Sequence, residues 1–244
     1  MSMNFETIKP FLVGKSFSNS LKLNISKKEN QILYRIPIIE SIVKGEKIIH
    51  VGCVDHLPLI DEKRRNGNWL HERLTNICNE CLGVDINQEG LDYIKSIGFS
   101  DVCYLNIIED EVPNTIKDRK WDYMLLGELL EHTDNPVEFL KNINIKYQLY
   151  ANKLIITVPN AFRLQNFSAA LKYQEWINSD HRYWFSPYTL AKIATNAGFE
   201  VESFDFVQIS NISWKSVRKK FLLSRYPAFR DCIVMTLQFS PTKK

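Results

Sequence analysis

An α/β chain with a mostly parallel sheet and helices on both faces is the fold class the sequence predicts. Two observations carry this. From Lys47 onward short apolar runs alternate with segments of helical periodicity, and several of those segments open on a capping residue and close on glycine. "KIIHVG" reads as the first strand. In "NWLHERLTNICNE", Leu70, Leu74, Ile77 and Cys78 recur at helical spacing, and "CLGVDI" is the second strand. "NQEGLDYIKSIG" is a helix with Asn87 at its N-cap and Gly98 as its stop; "VCYLNI" and "WDYMLLG" are strands three and four. In "DNPVEFLKNINIKY", Asn135 caps, Pro136 occupies the first helical position and Glu138 sits where a capping box places it. "KLIITVPN" is strand five. "SPYTLAKIATNAGFEV" repeats the Ser-Pro start (Ser186, Pro187) and the glycine stop (Gly198), with Leu190, Ile193, Ala194 and Ala197 facing inward. "EVESFDFV" is strand six and "DCIVMTLQF" the last, expected as an antiparallel edge strand.

Residues 1–45 read as a helical or irregular extension packed outside the sheet, with "KKENQILYRIPIIESIVKG" as its best helix and Pro37 as an interruption. Residues 46–240 form the main domain, in which 205–232 contains a basic insertion before the last strand.

The 244 residues suit one domain with decorations, and 45% hydrophobic with 24% charged residues is ordinary for a soluble chain. A net charge of +3 gives no argument for nucleic acid. Cys78 and Cys81 have CxxC spacing without a second pair, so buried thiols are expected. Five apolar-flanked cysteines and the lack of a signal-like N-terminus predict a cytoplasmic protein, and no apolar run approaches the ~20 residues that span a bilayer.

In open α/β sheets ligands bind beyond the carboxyl ends of the strands. Gly52-Cys53-Val54-Asp55-His56, Asp85, Asn106, Gly127-Glu128 and Pro159-Asn160 follow five consecutive strands, all small or polar where a merely structural sheet would not need it. Asp85 fits a ribose diol or, equally, a turn; Gly52 and Asn106 in register favour the ribose. The stretch "LPLIDEKRRNGNWL" is inserted between Gly52 and Asp85.

The order "HVGC…LGVDIN…YLNI…WDYMLLGELLEHTDNPVEFLKNI…KLIITVPN…HRYWFSPYTLAKIATNAGFEV" resembles class I S-adenosylmethionine-dependent methyltransferases, over roughly Lys47 to Phe239. The resemblance implies a Rossmann-like sheet of seven strands and a cofactor site made by Gly52, Cys53 and Asp55 in the first loop, Asp85 and Ile86 after strand two, Asn106 near the adenine amine, and Gly127 and Glu128 under the sulfonium. The family commonly shows GxGxG in the first loop; here the string is GCVDH, so Asp55 or His56 would replace a backbone contact with a side-chain one.

Glu128, Glu131 and His132 fall at i, i+3 and i+4, one face of a helical turn. Imidazole titrates near neutrality, so His132 is the candidate general base, with Glu131 and His181 beside it. The ExxEH pattern with His181 also resembles the divalent-metal ligands of small-RNA 2′-O-methyltransferases and of some ubiquinone-pathway O-methyltransferases, which implies Glu128, Glu131, His132 and His181 as a metal set; the alternative is that they orient the loop. His181 and Tyr183 belong to an aromatic loop suited to stacking on a sugar or planar ring. Trp69 and His71 either close over the cofactor or anchor a helix.

"WKSVRKKFLLSRYPAFR" carries Lys215, Arg218, Lys219, Lys220, Arg225 and Arg230; a solvated helix face is the expectation, a phosphorylated acceptor or a peripheral membrane contact the alternative. The expected activity is O-methylation of a small molecule or glycan. The rivals are a metal-dependent RNA 2′-O-methyltransferase and an inactive methyltransferase-like binding protein.

Overall fold

A computed structural model of the chain describes residues 3–240. Two helices precede the sheet: α1 (Phe5–Leu12), capped by the Asn4 side chain, and α2 (Arg35–Val43). Pro37 lies in the first turn of α2, where a missing N–H costs nothing, so it does not break the helix. Then follow β1 (Lys47–Val51), α3 (Leu57–Arg65), α4 (Leu70–Ile77), β2 (Glu80–Asp85), α5 (Gln88–Ser96), β3 (Val102–Tyr104), α6 (Asn114–Lys117), β4 (Trp121–Gly127), α7 (Pro136–Tyr147), β5 (Ala151–Pro159), α8 (Leu164–Ala170), α9 (Pro187–Asn196), β6 (Phe199–Val207), α10 (Val217–Arg225) and β7 (Cys232–Phe239).

The caps read from the sequence form. Asn87 accepts from the Gly90 N–H, Asn135 from the Glu138 N–H, and Ser186 shares a reciprocal box with Thr189. Gly98 and Gly198 take the left-handed conformation just past α5 and α9, at φ +104° and +91°.

The seven strands lie in the order β3-β2-β1-β4-β5-β7-β6. β1 to β5 are parallel; β7 is antiparallel to both β5 and β6, so the antiparallel element forms the edge pair with β6 outermost. Alternate residues of β1 and β5 feed opposite faces, as the two-residue period of a strand requires. Ile49, Leu154 and Ile156 pack with Leu140 and Tyr147 of α7 and Leu190 of α9. Ile48 and Ile155 pack with Ile39 and Val43 of α2 and Leu74 of α4, so α2 is a layer of the core. A smaller core holds Cys53, Ile60, Trp69 and Leu91 between α3, α4 and α5. The inserted stretch before Trp69 is therefore the helix α3, anchored by Ile60. The five cysteines are free thiols, and Cys78 is half-buried. No helix among the described residues is long and apolar enough to cross a membrane.

Candidate functional site

Strand order reverses between β1 and β4, and the carboxyl ends of these strands open a crevice. Gly52 turns there with φ +70°, and a side chain would meet only Leu129 Cδ1, at 3.5 Å. Its N–H donates to the Val84 carbonyl at 2.9 Å, which holds the loop against β2. Asp85 ties the next part down: Oδ2 accepts from the Val54 N–H at 2.9 Å and Oδ1 from the Asn87 N–H at 3.0 Å. Burial raises the Asp85 carboxyl pKa, and the N–H groups of Asn87, Val54 and Ile86 oppose that rise. An ionised carboxylate has about four acceptor positions, so these bonds leave room for a diol. The turn role and the ribose role are compatible.

The loop itself is built without a second glycine. Val54 packs onto Gly90 in the first turn of α5, where an added Cβ would lie 2.2 Å from Val54 Cγ1. Cys53 points into the small core, packed below Gly83, and burial followed by the Asp85 charge pushes its thiol pKa far up. Asp55 accepts from the His56 N–H at 2.7 Å and pairs with Lys63 of α3.

Two cavities flank Gly52. One, of about 240 Å³, lies beyond β2 and β3 and is apolar, with Ile86, Leu105, Ile107 and Phe139 in its wall. The other, of about 680 Å³, runs past Asp55, Lys63, His50 and Arg35 to Gly127 and Glu128. Gly52, Leu129 and His132 border both. An apolar slot, a carboxylate at its mouth and a polar trough suit a flat heterocycle, a ribose and a charged chain in that order. Asn106 borders the slot, but its side chain serves its own turn: Oδ1 accepts from the Ile108 and Glu109 N–H groups and Nδ2 donates to Glu109.

Glu128 departs from the helical turn read for Glu128, Glu131 and His132. It has φ +54°, a left-handed conformation rare for a side chain of its size, and the following turn is a short 3-10 segment, Leu130–His132. Glu128 N–H donates to the Thr157 carbonyl at 3.0 Å, Thr157 Oγ1 donates to Glu128 Oε1 at 2.9 Å, and the Cys232 thiol approaches the same oxygen at 3.2 Å. Arg35 Nη1 donates to Thr157 Oγ1 at 3.2 Å and lies 3.6 Å from Glu128 Oε1. Arg35 Nε is buried without a partner among the described residues.

Glu131, His132 and His181 do meet: one ligand atom of each lies within 4.8 Å of the others. Glu128 is outside this group. Glu131 is fully buried, and among the described residues neither carboxylate oxygen has a hydrogen-bond partner; His181 Nε2 is 3.9 Å away. Burial first, then the Glu128 charge, raises the Glu131 carboxyl to about 8. The His181 ring stands edge-on to His132 at 4.8 Å, and burial followed by His132 lowers its pKa. His132 Nδ1 is 3.2 Å from the Asp180 carbonyl. A carbonyl only accepts, so Nδ1 carries the proton and Nε2 is the basic nitrogen. The two loops are laced together: Arg182 N–H donates to the Glu131 carbonyl at 2.8 Å, the Arg182 guanidinium reaches the His132 carbonyl and Asp134, and Tyr183 Oη donates to the Asp134 carbonyl at 2.8 Å.

Residues after β5 divide. Asn160 is buried and structural, its Nδ2 donating to the Ala228 and Arg230 carbonyls at 2.8 and 2.7 Å. Arg163 stacks 4.4 Å over Trp184. Trp69 is buried edge-on to Phe99 at 4.9 Å and His71 is buried with Nδ1 3.2 Å from His50 Nδ1; both pack α4 and both also border the larger cavity. Arg35 and Thr157 escape sequence reading; their only signal is tertiary.

A family model described as a methyltransferase domain matches residues 40–203. A search of curated proteins finds no match. Among solved structures, the small RNA methyltransferase HEN1 is similar at 13% identity and a TM-score of 0.53, over 92% of this chain but 28% of that one. An S-adenosylmethionine-dependent methyltransferase from Mesorhizobium loti is similar at 11% identity and a TM-score of 0.50, over 83% and 96% of the two chains. The magnesium protoporphyrin IX methyltransferase from Synechocystis PCC 6803, with bound SAH, aligns over 84% and 82%, at 11% identity and a TM-score of 0.50. These likenesses show the fold, and the site described above fits the cofactor: the chain belongs to the methyltransferase-domain family and is an S-adenosylmethionine-dependent methyltransferase.

Proposed function

We propose that the chain methylates a hydroxyl of a small-molecule or glycan acceptor, with His132 as the base. The observation that carries this reading is the place of His132: it borders both cavities, and its Nδ1 is held by the Asp180 carbonyl, which leaves Nε2 to accept a proton. Asp85 holds the ribose hydroxyls, Ile86 and Ile107 flank the base, and the backbone of Gly52 and Gly127 borders the methionine part. Bound S-adenosylmethionine supplies a methyl already activated on a sulfonium. The protein's remaining work is alignment and proton removal. Tyr183 and Trp184, pinned by Asp134 and Arg163, support an acceptor with a sugar or planar ring.

The unpaired Glu131 carboxylate supports a second element, a divalent cation held by Glu131, His132 and His181. One oxygen and two imidazole donors suit such an ion, which would lower the pKa of an acceptor hydroxyl. In that case His132 Nε2 serves as ligand rather than base.

Calorimetric titration with S-adenosylhomocysteine, with and without Mn²⁺, tests the site. Micromolar binding is expected; none in either condition would overturn the reading and leave a binding protein without cofactor. With an acceptor in hand, His132→Ala should lower turnover far more than cofactor affinity. Full activity of that variant would remove His132 from the chemistry.

A further inference from the structure

The helix α10 exposes the cations its composition predicts and, beside them, large apolar side chains that a solvated face does not need. Leu223 is its only buried residue. On the opposite side Val217 and Phe221, one turn apart, are 69% and 68% exposed, and Trp214 just before the helix is 76% exposed. Arg218 and Arg225 flank Phe221 at helical spacing, and Lys215 and Lys219 are exposed beside them. From 211 to 230 the sequence holds no aspartate or glutamate. A helix facing only water would not place three large apolar side chains outward.

This helix stands on the cofactor side of the sheet. β6 runs in the same direction as β5, because β7 is antiparallel to both, so the segment leaving Val207 emerges at the rim where the cavities open. The Gln208 carbonyl accepts from the Arg35 N–H at 3.0 Å, which fixes the base of this segment beside the site. The segment after β5 rises from the same place, clasped to it by Asn160 on the Arg230 carbonyl. It carries exposed apolar side chains of its own: Phe167 and Leu171, one turn apart, with Tyr173 and Trp176 after them.

We infer that the α10 face docks on an anionic lipid bilayer, with the exposed Phe167–Trp176 segment on the same rim as a further contact. Cations alone would suit any polyanion, and aromatic rings alone would suit stacked bases. Outward Val217 and Leu171 can do neither job; aliphatic chains gain only by entering an apolar phase. The ring of cations around them matches a negatively charged headgroup layer. Docked this way, the rim of the cofactor crevice lies toward the membrane.

The experiment is co-sedimentation of the full chain with large unilamellar vesicles, of phosphatidylcholine alone or with about a third phosphatidylglycerol. Binding to the anionic vesicles is expected, weakened by salt. Arg218→Glu/Lys219→Glu should lower the partition coefficient roughly thirtyfold or more. Trp214→Ser/Phe221→Ser should lower it roughly tenfold even at low salt. All four side chains are exposed, so unchanged circular dichroism and melting temperature will show that both variants fold. The inference is overturned if the wild-type chain stays in the supernatant. It is equally overturned if the apolar variant binds like wild type, or if single-stranded RNA competes the protein off the vesicles through the same residues.

Discussion

The contact between Val54 and Gly90 makes the most direct test of the proposal that a loop with a single turn glycine holds the cofactor. In Gly90→Ala the new methyl would lie 2.2 Å from Val54 Cγ1 and 3.2 Å from the Asn87 side chain. Carbon atoms in contact sit about 3.5–4.0 Å apart, so Val54 must retreat by roughly 1.5 Å. Overpacking of this kind costs about 1–3 kcal/mol, while alanine gains about 1 kcal/mol over glycine in a helix. The net loss of stability is therefore small, about 1 kcal/mol. The effect on binding is larger, because the Val54 N–H that moves is the one on Asp85 Oδ2. That bond is made in the unliganded fold, so what binding loses is the placement of the loop and the carboxylate; a misplacement of about 1 Å costs up to about a hundredfold, and affinity for S-adenosylhomocysteine should fall at least roughly tenfold. Calorimetry gives the affinity and urea unfolding the stability. Val54→Ala added to Gly90→Ala removes the clashing atom and should restore most of the affinity. A folded Gly90→Ala that binds as tightly as wild type would refute the reasoning.

Asp85→Ala should abolish S-adenosylhomocysteine binding with the fold retained; unchanged affinity in calorimetry would take Asp85 out of the site. For Glu131, the carboxyl raised from 4.5 to about 8 favours the protonated folded state, so its stabilising effect is complete below about pH 4.5 and is lost as pH rises toward 8. Glu131→Gln lacks this slope and should gain about 3 kcal/mol relative to wild type between mild acid and neutral pH, read by urea unfolding across pH in the presence of a chelator; parallel profiles would contradict it. Arg230 is fully buried, with its guanidinium donating to the Leu223, Phe206 and Gln31 carbonyls and to Glu29. Arg230→Met strands those acceptors and should destabilise the chain by about 3 kcal/mol, seen as a lower urea midpoint. Equal midpoints would show that the clamp adds nothing.

Much of the fold was legible because its signals are local. A capping side chain, a proline at the first helical position and a stop glycine act within four residues, and Asn87, Asn135 and Ser186 all cap as their spacing indicates. The gathering of Gly52, Asp85, Asn106 and Gly127 at one rim was legible for a similar reason, since strand ends converge wherever the sheet is parallel. The left-handed turn at Glu128 was not, because the strain is held by Thr157 and Cys232 from distant strands. Arg35 carries no local signal because its partners lie on β5 and in the turn just past β4. Arg230 looked like one more surface cation in a basic run, and only its carbonyl cage identifies it as a core residue. The helix α3 was read as a plain insertion because one buried residue, Ile60, among many charges leaves little periodicity.

The placement of β7 also sets the order in which the molecule can be assembled. β5 is the longest strand of the parallel set, and its free flank pairs with β7 over seven residue pairs. β7 follows every other strand in the chain, so during synthesis the Ala151–Pro159 strand must wait, with its backbone groups exposed, until β6 and the whole α10 segment have emerged. An apolar open flank is the usual template for intermolecular strand pairing. The final strand is therefore the element that ends the vulnerable period of folding, and truncating it would leave a nascent chain prone to associate with its copies.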